Sequence, residues 1–406
     1  MPGSKSLTNR HLVLGLLAAE ATVVHHPLVS RDTTLMLTAV QRLGAQVSEE
    51  GSSWRLVAPP RPRGDVAVEC GLAGTVFRFL PPVAALAQGA VRFDGDEQAR
   101  TRPVGPLLGA MRELGVRVDD GGRGTLPFTV HGAGPVTGGE LAVDASGSSQ
   151  FVSALLLAAP RFERGLRLRH VGPRLPSLPH VRMTLQVLQQ AGVDAEETAP
   201  GTWRVAPGPV RGGQVVVEPD LSTAAPFLAA AVVTGGVVTV PGWPRRSTQP
   251  GAVLPELLTA MGARTELTDD GLTVHGPARG ELRGLEADLG DVGELTPVLA
   301  AACALASTPS RLSGVAHLRG HETDRLHALE AELAGLGAGV RQTADGLELL
   351  PGELHGARFQ TYADHRMVMA AAVLGLVVPG VVVADPGTVA KTYPAFVDAW
   401  SALVER

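Results

Sequence analysis

The segment at residues 39–47 reads AVQRLGAQV: the end of an apolar-periodic helix, a glycine, and the start of a strand. Similar segments recur four more times, and each places glycine where helices most often end. A polar turn and a further strand-like run follow, as in TDDGLTVHG and TADGLELL, which predicts two strands after each helix. The five copies are AVQRLGAQV (39–47), AMRELGVRV (110–118), VLQQAGVDA (187–195), LLTAMGARTEL (257–267) and AELAGLGAGV (331–340).

A second recurring segment lies between these copies: a short polar or glycine-containing turn that leads into a strongly apolar helix. Helices that are apolar on most of their faces are buried. Its copies are 69 to 74 residues apart, marked by Ser6, Thr75, Ser149, Ser222, Glu294 and Asp364.

Six copies in 406 residues predict an α/β protein of six units, each strand–helix–strand–helix–strand–strand. Two sets of three units give two similar domains, and we expect an N-terminal domain at 5–217 and a C-terminal domain at 218–406, with residues 1–4 at the hinge. Helix N-termini offer free N–H groups and a positive dipole end. If the buried helices run parallel, the active site is expected in the interdomain cleft, which would suit anionic ligands.

Composition narrows the class of protein. With 45% hydrophobic and 18% charged residues the chain is globular, and its net charge of −5 gives no footprint for nucleic acid. No apolar run is long enough to span a bilayer, and residues 1–10 lack the features of a signal peptide. Cys70 and Cys303 fit no metal-ligand spacing and are predicted to be reduced, buried thiols. We therefore expect a cytoplasmic protein with no nucleic-acid or membrane partner.

Lysine is scarce: of 35 basic residues, only Lys5 and Lys391 are lysine. A GC-rich genome, whose codons favour arginine, explains the general bias. Under that bias, the two lysines are candidates for positions where a compact ammonium is needed rather than a guanidinium fork. Lys5 lies in the segment Gly3-Ser4-Lys5-Ser6, which lacks the earlier glycine of a nucleotide-binding P-loop.

Eight motifs occur in the order found in 5-enolpyruvylshikimate-3-phosphate synthases, so the whole chain resembles that family, most closely its actinobacterial branch. The resemblance implies the inside-out α/β barrel of enolpyruvyl transferases. It also implies transfer of the enolpyruvyl (1-carboxyvinyl) group of phosphoenolpyruvate to the 5-hydroxyl of shikimate 3-phosphate, with release of phosphate. These two small molecules are the implied partners, and nothing suggests a metal or organic cofactor. The motifs are PGSKSLTNR, GLAGT with Arg78, DGDEQARTRP, SSQFVSALL, LPSLPH, GHETDRL, DHRM and AKTYPAF.

Matching positions imply the binding residues. Guanidinium forks suit the carboxylate and the phosphate of phosphoenolpyruvate, and Gly74 allows close approach of a ligand to the backbone. The residues implied for phosphoenolpyruvate are Lys5, Gly74, Arg102, Gln150, Arg325, Arg366 and Lys391. Those implied for shikimate 3-phosphate are Lys5, Ser6, Arg10, Ser148, Ser149, Gln150, Arg174, Ser177, Glu294 and His321.

The resemblance also implies the catalytic set of Glu294, Glu322, Lys5 and Lys391. The reaction needs a base at the acceptor hydroxyl and an acid at the methylene carbon of phosphoenolpyruvate. We assign Glu294 to the hydroxyl, and Glu322 with Lys391 nearby to the carbon. His365 has two open roles, orientation of its neighbours or proton transfer. Asp324 is expected to be the partner of an arginine.

The sequence departs from the family pattern at several points. Members have a short strand before the segment that matches PGSKS, and no counterpart precedes it here, so we expect an effect on the hinge and on stability. Leu72, His180 and His321 stand where other members have asparagine, tyrosine and lysine. We expect a monomer, because the repeats satisfy one another.

Three alternatives remain open. A sister enzyme transfers enolpyruvyl to UDP-N-acetylglucosamine, but its signature has Lys-Asn in place of Lys5-Ser6 and usually a cysteine in the loop that matches DGDEQARTRP, where this chain has none. A paralogue with a related acceptor would vary the residues that contact it. A non-catalytic, truncated homologue would lack activity altogether.

Overall fold

The computed structural model describes residues 1–405. The chain divides into two compact units, Pro2–Glu218 and Pro219–Arg406, with Met1 assigned to the second. Residues 2–4, predicted at the hinge, and Glu218, predicted in the C-terminal domain, belong to the first unit. A backbone hydrogen bond of 2.8 Å from Ser4 N to Glu218 O joins the two ends of that unit.

The first unit contains three four-stranded sheets, ordered β12-β1-β3-β2, β4-β5-β7-β6 and β10-β11-β9-β8. Its helices are α1 (Lys5–Leu17), α2 (Arg31–Arg42), α3 (Gly74–Ala84), α4 (Gly105–Glu113), α5 (Gln150–Ala158) and α6 (Leu178–Gln190). Its strands are β1 (Thr22–His25), β2 (Gln46–Glu50), β3 (Ser53–Val57), β4 (Val66–Glu69), β5 (Gln88–Asp94), β6 (Arg117–Asp119), β7 (Phe128–Ala133), β8 (Gly139–Val143), β9 (Leu166–His170), β10 (Ala195–Ala199), β11 (Thr202–Val205) and β12 (Gly213–Val216).

The second unit contains sheets of three, four and two strands, ordered β13-β15-β14, β16-β17-β19-β18 and β20-β21. Its helices are α7 (Leu221–Thr234), α8 (Leu254–Ala260), α9 (Thr296–Ala304), α10 (Arg325–Gly335), α11 (His365–Gly375) and α12 (Phe396–Val404). Its strands are β13 (Val237–Pro241), β14 (Arg264–Leu267), β15 (Gly271–His275), β16 (Glu286–Asp288), β17 (Ser310–Ser313), β18 (Gly339–Gln342), β19 (Leu347–Leu350), β20 (Arg358–Phe359) and β21 (Val382–Val383).

The predicted repeat of strands and helices is confirmed, although the six units are not equal. The five helix-ending glycines all adopt positive φ, from +75° to +106°, as a left-handed helix end requires; they are Gly44, Gly115, Gly192, Gly262 and Gly337. The complete six-element pattern occurs from β4 to β7, from β8 to β11 and from β16 to β19. The first sheet differs from the others, because β12 pairs parallel with β1 and supplies its fourth strand late in the chain.

Each unit is organised around the three strongly apolar helices that the second repeat predicted. In the first unit α1, α3 and α5 pack against one another, and in the second α7, α9 and α11 do so. Nearly every side chain of these helices is buried, including Leu12, Phe77 and Leu155 at 0% exposure. Burial of one such side chain contributes about 1.5–3 kcal/mol. The packing fixes the helix N-terminal turns, and these turns carry many of the predicted site residues.

Two further predictions concern burial. Cys70 and Cys303 are both free and buried, as predicted, and burial raises the pKa of Cys303 to about 11. Within residues 1–405, no helix combines the length and the apolar character needed to cross a membrane.

Candidate functional site

The first unit brings the N-terminal turns of α1, α3 and α5 together through side-chain hydrogen bonds. Asn9 Nδ2 of α1 donates to Thr75 Oγ1 of α3 at 2.7 Å. Arg78 Nη1 of α3 donates to Gln150 Oε1, at the start of α5, at 3.0 Å. We call the predicted site residues in or beside these turns the first-unit cluster; they begin with Lys5, Ser6, Arg10, Gly74 and Arg102. Three helix N-termini in one place give free N–H groups and positive dipole ends suited to an anion.

Lys5 is the first residue of α1 and is held by a buried acid. Ser4 caps the helix, and Lys5 Nζ lies 3.1 Å from Asp32 Oδ2. The Asp32 side chain is 3% exposed, whereas that of Lys5 is 22% exposed. Asp32 therefore holds the ammonium in place, while part of the Lys5 side chain stays exposed, which suits contact with a ligand. Sequence reasoning missed Asp32, because an acid in the first turn of an amphipathic helix such as α2 is commonplace.

Arg10 is more buried than a residue whose only role is to bind a ligand. It is 1% exposed, and its Nε donates to Thr184 Oγ1 at 2.8 Å. Nη2 donates to His180 O at 2.8 Å and to Ser153 Oγ at 3.4 Å, while Nη1 donates to Ser6 O at 2.9 Å. Arg10 thus connects α1 with α5 and α6. This is a positioning role that the sequence did not predict, and the predicted contact with shikimate 3-phosphate stays a prediction.

Arg102 is a buried cation with little compensation from the protein. It is 6% exposed, its Nη1 donates to Leu72 O at 3.3 Å, and its buried Nε has no hydrogen-bond acceptor among residues 1–405. No carboxylate of the described chain forms an ion pair with it. A Cβ atom placed on Gly74 would lie 3.2 Å from both Nη atoms. Because a buried, unpaired charge is costly, this arrangement favours a bound anion.

The remaining predicted residues of the first unit precede or begin α5 and α6. Ser148 Oγ accepts a hydrogen bond from Gln150 N at 3.2 Å, and Ser149, which is buried, is the N-cap of α5. Ser177 is the N-cap of α6 and has a left-handed conformation, with φ of +54°. Arg174 lies exposed on the loop before it. Ser148, Ser149 and Gln150 therefore join the first-unit cluster, whereas Arg174 belongs to a surface loop.

In the second unit, Ser222 connects Glu294 with Arg366. Ser222 Oγ donates to Glu294 Oε1 at 2.9 Å, and the backbone oxygen of Ser222 accepts from Arg366 Nη1 at 2.9 Å. Glu294 lies in a short 3-10 turn, Gly293–Leu295, directly before α9. These contacts join the N-terminal turns of α7, α9 and α11. Ser222 was used to mark a repeat and was not predicted as a site residue; its position at a buried helix start was the available signal.

A second network in this unit surrounds Arg325, which is 2% exposed. Arg325 Nε donates to Asp364 Oδ2 at 2.7 Å, and its Nη2 donates to Asp364 Oδ1 at 3.2 Å and to Glu322 Oε2 at 3.0 Å. The ammonium of Lys391 donates to Glu322 Oε1. Burial acts to lower the pKa of Arg325, but the neighbouring carboxylates of Asp364 and Glu322 outweigh it and raise that pKa above its ordinary value. We call Glu294, Glu322, Arg325, Arg366 and Lys391 the second-unit cluster.

Three polar residues lie beside this cluster. His321 Nδ1 is 3.1 Å from Arg325 Nη1, so the predicted acceptor-binding histidine adjoins a predicted phosphoenolpyruvate-binding arginine. His365 is buried, with Nδ1 3.6 Å from Asp364 Oδ1, a position compatible with both roles left open above. Asp324 caps α10 and accepts from Arg319 Nη1 at 3.3 Å, and so has the expected arginine partner.

Most of the predicted site residues thus fall into one cluster in each unit, whereas Arg174 and Ser177 lie at the loop before α6 and His321 lies beside the second-unit cluster. Across the described residues, no group of three or more His, Cys, Asp or Glu side chains is arranged to hold a metal ion. The two clusters share an excess of cationic side chains, and the second adds two carboxylates. Such an arrangement can bind phosphate and carboxylate groups and can transfer protons beside them.

Solved structures of other proteins identify the fold. The EPSP synthase of Acinetobacter baumannii superposes with a TM-score of 0.78 at 23% identity, over 100% of this chain and 94% of that one. The enolpyruvyl transferase NikO of Streptomyces tendae superposes with a TM-score of 0.75 at 20% identity, over 99% of this chain and 93% of that one. At these identities the comparison establishes the fold alone, which is that of enolpyruvyl transferases.

Sequence comparison identifies the family. The family model described as EPSP synthase (3-phosphoshikimate 1-carboxyvinyltransferase) matches residues 1–400. The 3-phosphoshikimate 1-carboxyvinyltransferase of Kocuria rhizophila is 57% identical, over 100% of this chain and 93% of its own length. That of Mycobacterium ulcerans is 51% identical, over 100% and 94%. The chain therefore belongs to the EPSP synthase family, and the similarity to Kocuria, an actinobacterium, confirms the predicted branch.

Proposed function

We propose that the chain transfers the enolpyruvyl group of phosphoenolpyruvate to the 5-hydroxyl of shikimate 3-phosphate and releases phosphate, as a step of the shikimate pathway. The observation that carries this proposal is the second-unit cluster, where Glu294 and Glu322 lie among three cationic side chains. The reaction needs a base, an acid and cations that bind a phosphate and a carboxylate.

Binding is assigned to the cationic and hydroxyl groups. Arg102, Arg325 and Arg366 are buried or nearly so, and they would pair with the phosphate and the carboxylate of phosphoenolpyruvate. The hydroxyls of Ser6, Ser148 and Ser149 and the amide of Gln150 would bind the acceptor. Lys5, whose ammonium is fixed by Asp32 and remains partly exposed, is assigned to both substrates. These assignments follow the family positions and the local geometry.

In the first chemical step, Glu294 takes the proton of the 5-hydroxyl as the hydroxyl oxygen bonds to C2 of phosphoenolpyruvate. Ser222 Oγ donates to Glu294 Oε1 and so orients the carboxylate that acts as the base. The electron pair of the C2–C3 double bond takes up a proton at C3 and produces a methyl group. Both oxygens of Glu322 already accept hydrogen bonds from Lys391 and Arg325, so Lys391 is the proton carrier of that pair.

In the second step, the tetrahedral intermediate loses phosphate from C2 and a proton from the C3 methyl group, which restores the double bond. The proton that Glu294 took from the 5-hydroxyl leaves with the phosphate, so the carboxylate is regenerated. Lys391, neutral after the first step, is placed to recover that proton, while Glu322 holds its amine in position. The arginines stabilise the negative charge that develops on the leaving phosphate. This division of roles refines the assignment made from the sequence: Lys391 transfers the proton, and Glu322 orients the amine of Lys391.

Two further proposals concern the oligomeric state of the protein and its location in the cell. We expect a monomer, since the apolar helices of each unit are already covered within that unit. We also expect the cytoplasm as its location, since phosphorylated substrates and reduced thiols are typical of that compartment. Size-exclusion chromatography with light scattering tests the first expectation, and cell fractionation tests the second.

The test of the proposed function is phosphate release by the purified chain with phosphoenolpyruvate and a choice of acceptor. Release with shikimate 3-phosphate, and none with UDP-N-acetylglucosamine or with shikimate lacking the phosphate, is the expected result. Release with UDP-N-acetylglucosamine instead would assign the chain to the sister activity. Folded protein that is silent with every acceptor would contradict the proposal.

A further inference from the structure

Two arginines of the first unit lie over one aromatic ring. The guanidinium carbon of Arg78 is 5.0 Å from the centroid of Phe77, and that of Arg102 is 5.5 Å from the same centroid. Phe77 is in the first turn of α3 and is 0% exposed, so its ring has no access to a bound ligand. Any effect of this ring on a substrate must therefore pass through the two arginines.

Cation–π attraction is strong at this place because water is excluded. Arg78 is 4% exposed and Arg102 is 6% exposed. An attraction of this kind contributes about 0.5–1 kcal/mol at exposed sites and about 2 or more when it is desolvated. For Arg102, which has a single weak hydrogen bond and no carboxylate partner within the described chain, the ring is the principal group that fixes the guanidinium.

Arg78 connects the ring with Gln150, a predicted site residue, and with the backbone beside Arg102. Its Nη1 donates to Gln150 Oε1 at 3.0 Å, and its Nη2 donates to the backbone oxygen of Pro103, the residue after Arg102, at 3.2 Å. A displacement of Arg78 would therefore move Gln150 and loosen the backbone beside Arg102. The ring of Phe77, which shares Arg78 with the ring of Phe151 at 5.5 Å, thus bears on two predicted substrate-contacting residues, Arg102 and Gln150.

We propose that Phe77 is a positioning residue for phosphoenolpyruvate binding: its ring face holds Arg102 and Arg78 in the geometry that receives the substrate anion. The inference rests on the proposed function, because it assigns Arg102 to that substrate. On this proposal, the affinity for phosphoenolpyruvate depends on the negative electrostatic potential of the Phe77 ring face and not on the volume of the ring. An aliphatic side chain of similar volume would fill the same space without this effect.

Stepwise fluorination of the ring separates these two properties. Phenylalanine with one, two and three ring fluorines, introduced by amber suppression at position 77, reduces the ring potential and changes the volume little. We expect the KM for phosphoenolpyruvate to rise with each fluorine, to about tenfold with three, while kcat stays within about twofold. The same series at Phe162, which is 2% exposed and forms no cation–π contact among residues 1–405, is the matched control and is expected to leave KM unchanged.

Two results would overturn the inference: a KM that is flat across the Phe77 series, or an equal rise in the Phe162 series. Phosphate release by the wild-type protein, which contains no fluorinated residue, tests the proposed function independently of the inference about Phe77. Calorimetric titration of phosphoenolpyruvate into the protein without shikimate 3-phosphate gives a second readout that involves no turnover. A dissociation constant that follows the number of fluorines supports the inference, and one that does not contradicts it.

Discussion

Arg325 and Asp364 form a two-point ion pair inside the second unit, with Nε–Oδ2 at 2.7 Å and Nη2–Oδ1 at 3.2 Å. The side chains are 3% and 0% exposed. Asp364 also caps α11, where it accepts from the backbone of Arg366 at 2.9 Å. One buried carboxylate therefore fixes two arginines that are predicted to bind phosphoenolpyruvate.

Asp364→Asn is expected to lower the free energy of unfolding by about 3 kcal/mol, because it leaves Arg325 with less compensation while it keeps a capping side chain. Urea denaturation measures the change. Asp324→Asn is the matched control, since Asp324 also caps a helix but pairs with the half-exposed Arg319, and it should cost less than about 1 kcal/mol. Equal losses in the two variants would contradict the importance of the buried pair.

Glu294→Gln is expected to reduce kcat by a factor of at least about 100, since the amide accepts the hydrogen bond of Ser222 but cannot take a proton. Ser222→Ala removes the hydrogen bond and keeps the base, so its kcat should fall by less than about tenfold. Initial rates of phosphate release at saturating substrates measure both. Near-wild-type turnover of the Glu294 variant would remove it from the role of base.

Gly74→Ala is expected to raise the KM for phosphoenolpyruvate about tenfold, because the added Cβ lies 3.2 Å from both Nη atoms of Arg102 and displaces them. The KM for shikimate 3-phosphate should change little. Gly109→Ala in α4 is the control: its Cβ meets no atom within 4 Å, so we expect unchanged kinetics and about 0.5–1 kcal/mol of added stability. An unchanged KM in the Gly74 variant would contradict the prediction that the added Cβ displaces Arg102 and weakens phosphoenolpyruvate binding.

Ala363→Gly is expected to stabilise the fold by up to about 1 kcal/mol, because Ala363 has φ of +53° and a left-handed conformation strains any residue with a Cβ. The side chain is exposed, so no packing is lost. Ala372→Gly, inside α11, is the opposing control and should destabilise by about 1 kcal/mol. Thermal unfolding of the two variants measures the changes in stability. A loss of stability in both variants would contradict the claim that the backbone at Ala363 is strained.

The sequence predicted those features that arise from local patterns. Glycines at helix ends and apolar helices behind polar turns are local signals, so the repeat and the α/β fold were accessible from it. The contacts that connect these elements were not, because their partners are distant in the chain. Ser222 and Glu294 are 72 residues apart, and Lys5 and Asp32 are 27 apart.

The first sheet and Phe77 illustrate the same limit. No local pattern predicted that β12 pairs with β1, since the pairing joins Thr22 with Gly213. Phe77 has the pattern of an ordinary core residue of an apolar helix, and only the structure shows two guanidinium groups over its ring. Resemblance to a family supplied the substrate roles, which no periodicity or spacing could provide.

The most direct test of the central claim is analysis of the product made in D2O from phosphoenolpyruvate and shikimate 3-phosphate, by NMR and mass spectrometry. Addition of a proton at C3 followed by its removal predicts an enolpyruvyl ether at the 5-oxygen, with deuterium in its vinyl methylene. Free pyruvate, or a product that carries a transferred phosphoryl group, would contradict enolpyruvyl transfer. The ether without deuterium would contradict the protonation step assigned to Lys391.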